Sequence, residues 1–179
     1  RSLFLEFMMP KLVMKFGGTS VSDVDRIKNA ASKILIEVEK GFDVIVIVSA
    51  MAGETNRLVS LVNSVSTLYD AREYDAIVSS GENASAGLMA LTLQNMGVSA
   101  RSWQGWQVPL ITNSAHGSAR IMEITTQKLN EKFLEGMRVA VIAGFQGLTN
   151  DGRLSTLGRG GSDTTAVAFA AAFEADQCD

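Results

Sequence analysis

The sequence predicts an α/β protein, a three-layer α/β/α sandwich around a mainly parallel sheet. Three observations predict it. Short, nearly continuous apolar runs at 12–16, Asp43–Val48 and 138–143 have the length and β-branched content of strands covered on both faces. Longer segments with apolar residues at helical spacing separate them. Polar turns of small residues follow the strand candidates at 15–20, 49–55, 79–82 and 144–147. Strands alternating with helices imply right-handed crossovers, and in such sheets ligands bind beyond the carboxyl ends of the strands. The four turns are therefore expected to converge on one edge.

In chain order, strand 12–16 leads through Gly17 and Gly18 into a helix over Val24–Glu39, with Gly41 as its cap, and then into strand Asp43–Val48. Residues 49–56 read as a loop and 57–68 as a helix. A short strand over 76–78 is expected to deliver the polar turn Ser79-Ser80-Gly81-Glu82, with a helix over 83–96 ended by Gly97. Strands are expected over 98–103 and 108–112, one amphipathic segment over 121–134, a strand over 138–143 and a closing helix over 166–175.

At 179 residues and 46% apolar, the chain can bury one good core. Its net charge of −3 and scattered lysines and arginines argue against a nucleic-acid surface or a polybasic membrane anchor. One cysteine, Cys178, and one histidine, His116, rule out a disulfide framework and argue against a Cys/His zinc site or nucleophile pair; both read as unremarkable. That cysteine usage leads to the expectation of a cytoplasmic protein, and no apolar run approaches the ~20 residues of a membrane helix. Residues 1–8 read as a tag or non-native leader, and 9–179 as one unit without repeat or linker.

The chemistry concentrates in 153–165, where two arginines, an aspartate and several hydroxyls surround a glycine-rich turn that opens into an alanine-rich run. Glycines let backbone N–H groups approach an anion, and a helix start adds unpaired donors and the positive end of its dipole. Arg159 offers a planar fork for a carboxylate or phosphate. Near the other end, Lys15 precedes Gly17 and Gly18, placing an ammonium where the same phosphate would meet those amides. Neither turn has Walker or dinucleotide-binding glycine spacing. Taken singly, the residues leave alternatives open: Lys15 reaching solvent, Glu82 serving a helix dipole, Arg159 and Asp163 forming a helical ion pair, Ser49 and Thr55 acting as loop or cap residues.

Taken together, Lys15-Phe-Gly-Gly-Thr-Ser-Val21, Ser49-Ala-Met-Ala-Gly-Glu-Thr-Asn56, Ser80-Gly-Glu82, Gly144-Phe-Gln-Gly147 and Thr156-Leu-Gly-Arg-Gly-Gly-Ser-Asp-Thr-Thr165 resemble, in order, the motifs of the aspartokinases of the amino-acid kinase superfamily. The resemblance covers about Met9 to Asp179 and implies the amino-acid kinase fold. It also implies ATP-dependent phosphorylation of the side-chain carboxylate of L-aspartate, the first step toward lysine, threonine and methionine, with Mg²⁺ accompanying ATP. Lys15, Phe16, Gly17, Gly18, Ser20 and Ser49 would serve ATP and its phosphates, with Asp163 orienting Lys15 or assisting the metal. Arg159 would grip the substrate α-carboxylate and Glu82 its ammonium, with Gly53, Thr55, Gly160, Gly161 and Ser162 completing the substrate side. No residue is assigned as a direct metal ligand. Family members continue beyond the position of Asp179 into a nucleotide-binding segment and regulatory ACT domains. The chain is thus expected to be the amino-terminal part of a catalytic domain, weakly active or inactive alone. Its truncated sheet is expected to leave an edge open to homo-oligomer formation. Sister kinases of glutamate, acetylglutamate or UMP, and a non-catalytic fragment keeping the fold, are the alternatives.

Overall fold

In the computed structural model, which describes residues 8–158, 160–174 and 177–178, strand β1 (Lys11–Phe16) leads through a 3-10 turn (Gly18–Val21) into α1 (Val24–Glu39) and β2 (Asp43–Val48). Three helices follow: α2 (Glu54–Val65), α3 (Ala71–Val78) and α4 (Ser80–Asn95). Then come β3 (Ala100–Trp103), β4 (Leu110–Thr112), β5 (Ile121–Ile124), α5 (Gln127–Leu134), β6 (Val139–Ala143), β7 (Gln146–Leu148), β8 (Leu154–Thr156), α6 (Gly161–Ala172) and β9 (Gln177–Cys178). Among the described residues, the main sheet is wholly parallel in the order β3-β6-β2-β1-β9. A smaller mixed sheet runs β5-β4-β7-β8.

The alternation of side chains along β2 sets the layers. Val44, Val46 and Val48 enter one apolar cluster with Ile27 and Ile34 of α1 and Met89 and Leu93 of α4. Ile45 and Ile47 enter the other, with Leu129 and Phe133 of α5 and Ala166 and Phe169 of α6. All six β2 residues are buried, which is why the segment reads as a continuous apolar run. Each fully buried Ile, Leu or Phe contributes about 1.5–3 kcal/mol. The predicted α/β/α sandwich is the observed architecture.

Helix α1 has its predicted limits: the Asp23 side chain accepts from Arg26 N at 2.8 Å, and Gly41 follows at φ 98°. Two segments differ from expectation. Residues 76–78, expected as a strand, end helix α3, whose start is capped by Asp70 accepting from Arg72 N at 2.8 Å. Three apolar residues cannot distinguish the two periods, and packing decides. Residues 121–134 split at Thr125, with Ile121–Ile124 pairing against β4 and a helix starting at Gln127. Helix α4 starts at Ser80 rather than 83, α2 spans Glu54–Val65 rather than 57–68, and α6 starts at Gly161 rather than 166. The small sheet's β7 and β8 lie in segments read only as turns. Of the presumed leader, residues 1–7 lie outside the described residues, as does Arg159.

Candidate active site

Phe16, Val48 and Ala143 lie side by side at the ends of β1, β2 and β6, so the turns beginning at Gly17, Ser49 and Gly144 share one edge of the sheet. Two helices also start there. Gly53 and Gly160 precede α2 and α6 with φ of 82° and 76°, a left-handed geometry that costs any residue with a Cβ about 1–2 kcal/mol. The first amides, Glu54 N and Gly161 N, donate to the Met51 and Gly158 carbonyls at 2.9 and 3.1 Å, and both helices turn the positive ends of their dipoles to the same edge.

The result is a cleft of about 500 Å³ lined by Lys15, Gly18, Ser49, Gly53, Thr55, Glu82, Gly160, Gly161, Ser162 and Asp163. Ten residues proposed from sequence as a site thus line one cavity, although 148 positions separate the first from the last. Phe16, Gly17 and Ser20 do not line it. Phe16 packs into the core between the sheet and α1, while its carbonyl accepts from Ser49 N at 3.1 Å. Gly17 accepts a turn hydrogen bond from Ser20 N at 3.0 Å.

Lys15 Nζ lies 2.7 Å from Asp163 Oδ1, with the aspartate side chain 70% exposed. Solvent screening limits so open a pair to about 0–1 kcal/mol of stability, so its main consequence is to fix where the ammonium stands. Ser49 Oγ donates to Ser162 Oγ at 3.1 Å, joining the turn after β2 to the first turn of α6.

Glu82 is 4% exposed, in the first turn of α4 rather than at a strand tip. One carboxylate oxygen accepts from Ala50 N at 3.3 Å, and Oε2 is buried without a partner among the described residues. Burial pushes its pKa up to about 7, with its own backbone N–H and that of Ala50 acting in the opposite sense. A carboxyl group in that condition is half prepared to receive a cation.

Of the other lining residues, Asn56, Phe145 and Gly158 fall within segments already expected at the site, whereas Tyr74 and Gly117 belong to none of them. Phe145 adopts φ 71°, a backbone strain visible only in the structure. His116, read as unremarkable, contacts the buried carboxylate of Asp75 through Nδ1 at 2.7 Å. Among the described residues no group of three or more His, Cys, Asp or Glu is arranged to hold a metal ion, and no helix is long and apolar enough to cross a membrane.

A parallel α/β sheet whose strand ends gather a lysine, glycine turns and two helix starts defines an anion-handling domain of the phosphoryl-transfer type. The chain belongs to the amino acid kinase family, whose family model matches residues 10–179. Curated relatives include an aspartokinase of Rickettsia conorii, 50% identical over 96% of this chain and 43% of its own length, and aspartokinase 2 of Bacillus subtilis, 47% identical over 96% and 42%. The chain therefore spans about two fifths of the length of these relatives. Among solved structures, E. coli aspartokinase III in complex with aspartate and ADP superposes with a TM-score of 0.79 at 27% identity, over 92% of this chain and 47% of that one. The aspartate kinase of Synechocystis gives 0.78 at 42% identity, over 92% and 27%.

Proposed function

We propose that the cleft binds L-aspartate beside the phosphates of ATP, and that the polypeptide carrying this chain transfers the γ-phosphoryl group to the side-chain carboxylate, giving 4-phospho-L-aspartate. The observation that carries this reading is the meeting of Lys15, Glu82, Ser49 and Ser162 with two helix starts in one cleft. The aspartokinase relatives, one bound to aspartate and ADP, support it.

The chemistry suits the side chains present. A side-chain carboxylate with a pKa near ~4 is ionised at neutral pH, so the nucleophile needs no base to deprotonate it. Catalysis then rests on positioning and charge neutralisation. Lys15, held by Asp163, meets the transferring phosphoryl oxygens together with the amide of Gly18, while Gly17 shapes the turn behind it. Glu82 receives the substrate ammonium, which supplies its unpaired oxygen with donors and draws its pKa down. Arg159 pairs with the α-carboxylate, while Ser49, Thr55 and Ser162 surround the reacting groups. Mg²⁺ accompanying ATP would neutralise phosphate charge, and Asp163, an exposed carboxylate lining the cleft, would assist it. The setting is cytoplasmic biosynthesis of lysine, threonine and methionine.

The test traps the acyl phosphate with hydroxylamine. The whole polypeptide in which this chain occurs should form it from L-aspartate and MgATP, and Lys15→Met should lower kcat/KM by about 10²-fold or more. Formation from glutamate in preference to aspartate, or phosphorylation of UMP instead, would refute the assignment.

A further inference from the structure

Asp75 is a fully buried carboxylate outside the cleft, and every group that satisfies it comes from another segment. His116 Nδ1 lies 2.7 Å from Oδ2, and Gly117 N donates to both oxygens at 3.1 and 3.2 Å. Thr156 donates its N–H to Oδ2 at 3.1 Å and its hydroxyl to Oδ1 at 2.6 Å. The two backbone amides and the Thr156 hydroxyl all donate to Asp75, and the His116 tautomer with its proton on Nδ1 would add a further donor. Burying a charge is expensive, and cohesion alone is served as well by apolar packing. What this arrangement does instead is tie three walls of the cleft to one group. Tyr74, the neighbour of Asp75 on α3, lines the cavity; so does Gly117, held directly; and so does Gly158, two residues beyond Thr156.

We propose that Asp75, through His116, Gly117 and Thr156, is a positioning residue that sets the cleft wall formed by Tyr74, Gly117 and Gly158, and thereby the affinity for the phosphoryl acceptor. The idea rests on the kinase reading for its substrate but not for its geometry. Asp75→Asn keeps the size of the side chain and places an NH₂ where at least one of those donors pointed. His116→Ala removes a donor, and His116→Asn returns one, because its amide nitrogen occupies about the position of Nδ1.

The experiment measures KM for L-aspartate and for MgATP separately in the whole polypeptide carrying each variant. Asp75→Asn should raise the aspartate KM about tenfold or more, as displacement of a substrate-positioning wall does, with the MgATP KM changed by no more than about twofold. His116→Ala should show the same split to a smaller degree, and His116→Asn should restore it. A lowered melting temperature with both KM values unchanged would overturn the proposal, leaving Asp75 a purely structural group. Should Asp75→Asn fail to fold, the His116 pair decides: wild-type aspartate KM in both variants refutes it. If the enzyme turns over a different acceptor, the proposed function falls, and the positioning role is judged on the KM for that acceptor. If nothing is turned over, calorimetry decides it: unchanged L-aspartate affinity in Asp75→Asn sinks the proposal, and weakened L-aspartate affinity with MgATP affinity retained supports it.

Discussion

Lys11 and Lys15 stand on the same face of one strand, about 13 Å apart, and are treated in opposite ways. At the amino end of the sheet, Lys11 is 6% exposed, bonded to Asp43 Oδ2 at 3.2 Å and to the Met9 carbonyl at 3.2 Å, and lies 4.7 Å above the Phe133 ring. Asp43 in turn accepts from Arg138 Nε at 3.1 Å, and Arg138 Nη2 donates to the carbonyls of Phe42 and Val38 at 3.0 and 3.2 Å. That network is closed. At the carboxyl end, Lys15 meets a mostly exposed aspartate, and Glu82 Oε2 and Ser79 Oγ are buried without partners among the described residues. One end uses its charges to finish the fold, and the other keeps bonding capacity in reserve for a ligand, as functional sites do.

The largest expected effect lies at the closed end. Asp43→Ala would leave Lys11 buried without a counter-charge and should cost about 3–5 kcal/mol in urea unfolding. The KM values should not move, because the substitution lies at the far end of the sheet from the cleft. A stability loss below about 1 kcal/mol would mean the network is not the closed unit its geometry describes.

At the open end the test is pH. Glu82 has a folded pKa of about 7 against 4.5 for the free group, so below 4.5 both states carry its proton. Between these values the unfolded chain loses the proton while the fold retains it. Stability therefore falls as pH rises through this window and levels off above about 7, by up to about 3 kcal/mol. Glu82→Gln, which cannot ionise, should flatten that part of the stability profile, while raising the aspartate KM because a neutral amide pairs poorly with an ammonium. Identical pH slopes in the two proteins would show that Glu82 is not the group responsible. In the unsubstituted enzyme, aspartate affinity should rise with pH up to about 7, because the ammonium binds the ionised form.

The same contrast explains what was legible in the sequence. Strand β2 and helix α1 were readable because each carries its own signal, a continuous β-branched run in one and a capped helical period in the other. The cleft was readable because glycine turns and hydroxyls cluster locally at strand ends. Residues 76–78 and 121–134 misled because short apolar runs fit either period, and pairing with β4 or packing of α3 decides them. Asp75 and His116 carried no local signal. Their meaning arises from contacts 41 and 81 positions apart, the second made where helix α3 packs against β8. The placement of Arg159 lies outside the described residues, so its role still rests on the motif around it.

The smallest expected effect sharpens the comparison most. Replacing each lysine of β1 by methionine keeps a long apolar stem and deletes only the ammonium. Lys15→Met should change stability by less than about 1 kcal/mol, since its partner Asp163 is 70% exposed and water takes over the lost interaction. Lys11→Met leaves Asp43 still paired with Arg138, so it should cost more than Lys15→Met and less than Asp43→Ala. The kinetic ranking is the reverse: the substitution that unfolding measurements barely register is the one expected to remove about 10²-fold or more of kcat/KM. Equal stability losses for the two lysines would show that the ends of the sheet do not differ in kind, and that Lys15 holds the fold together as Lys11 does.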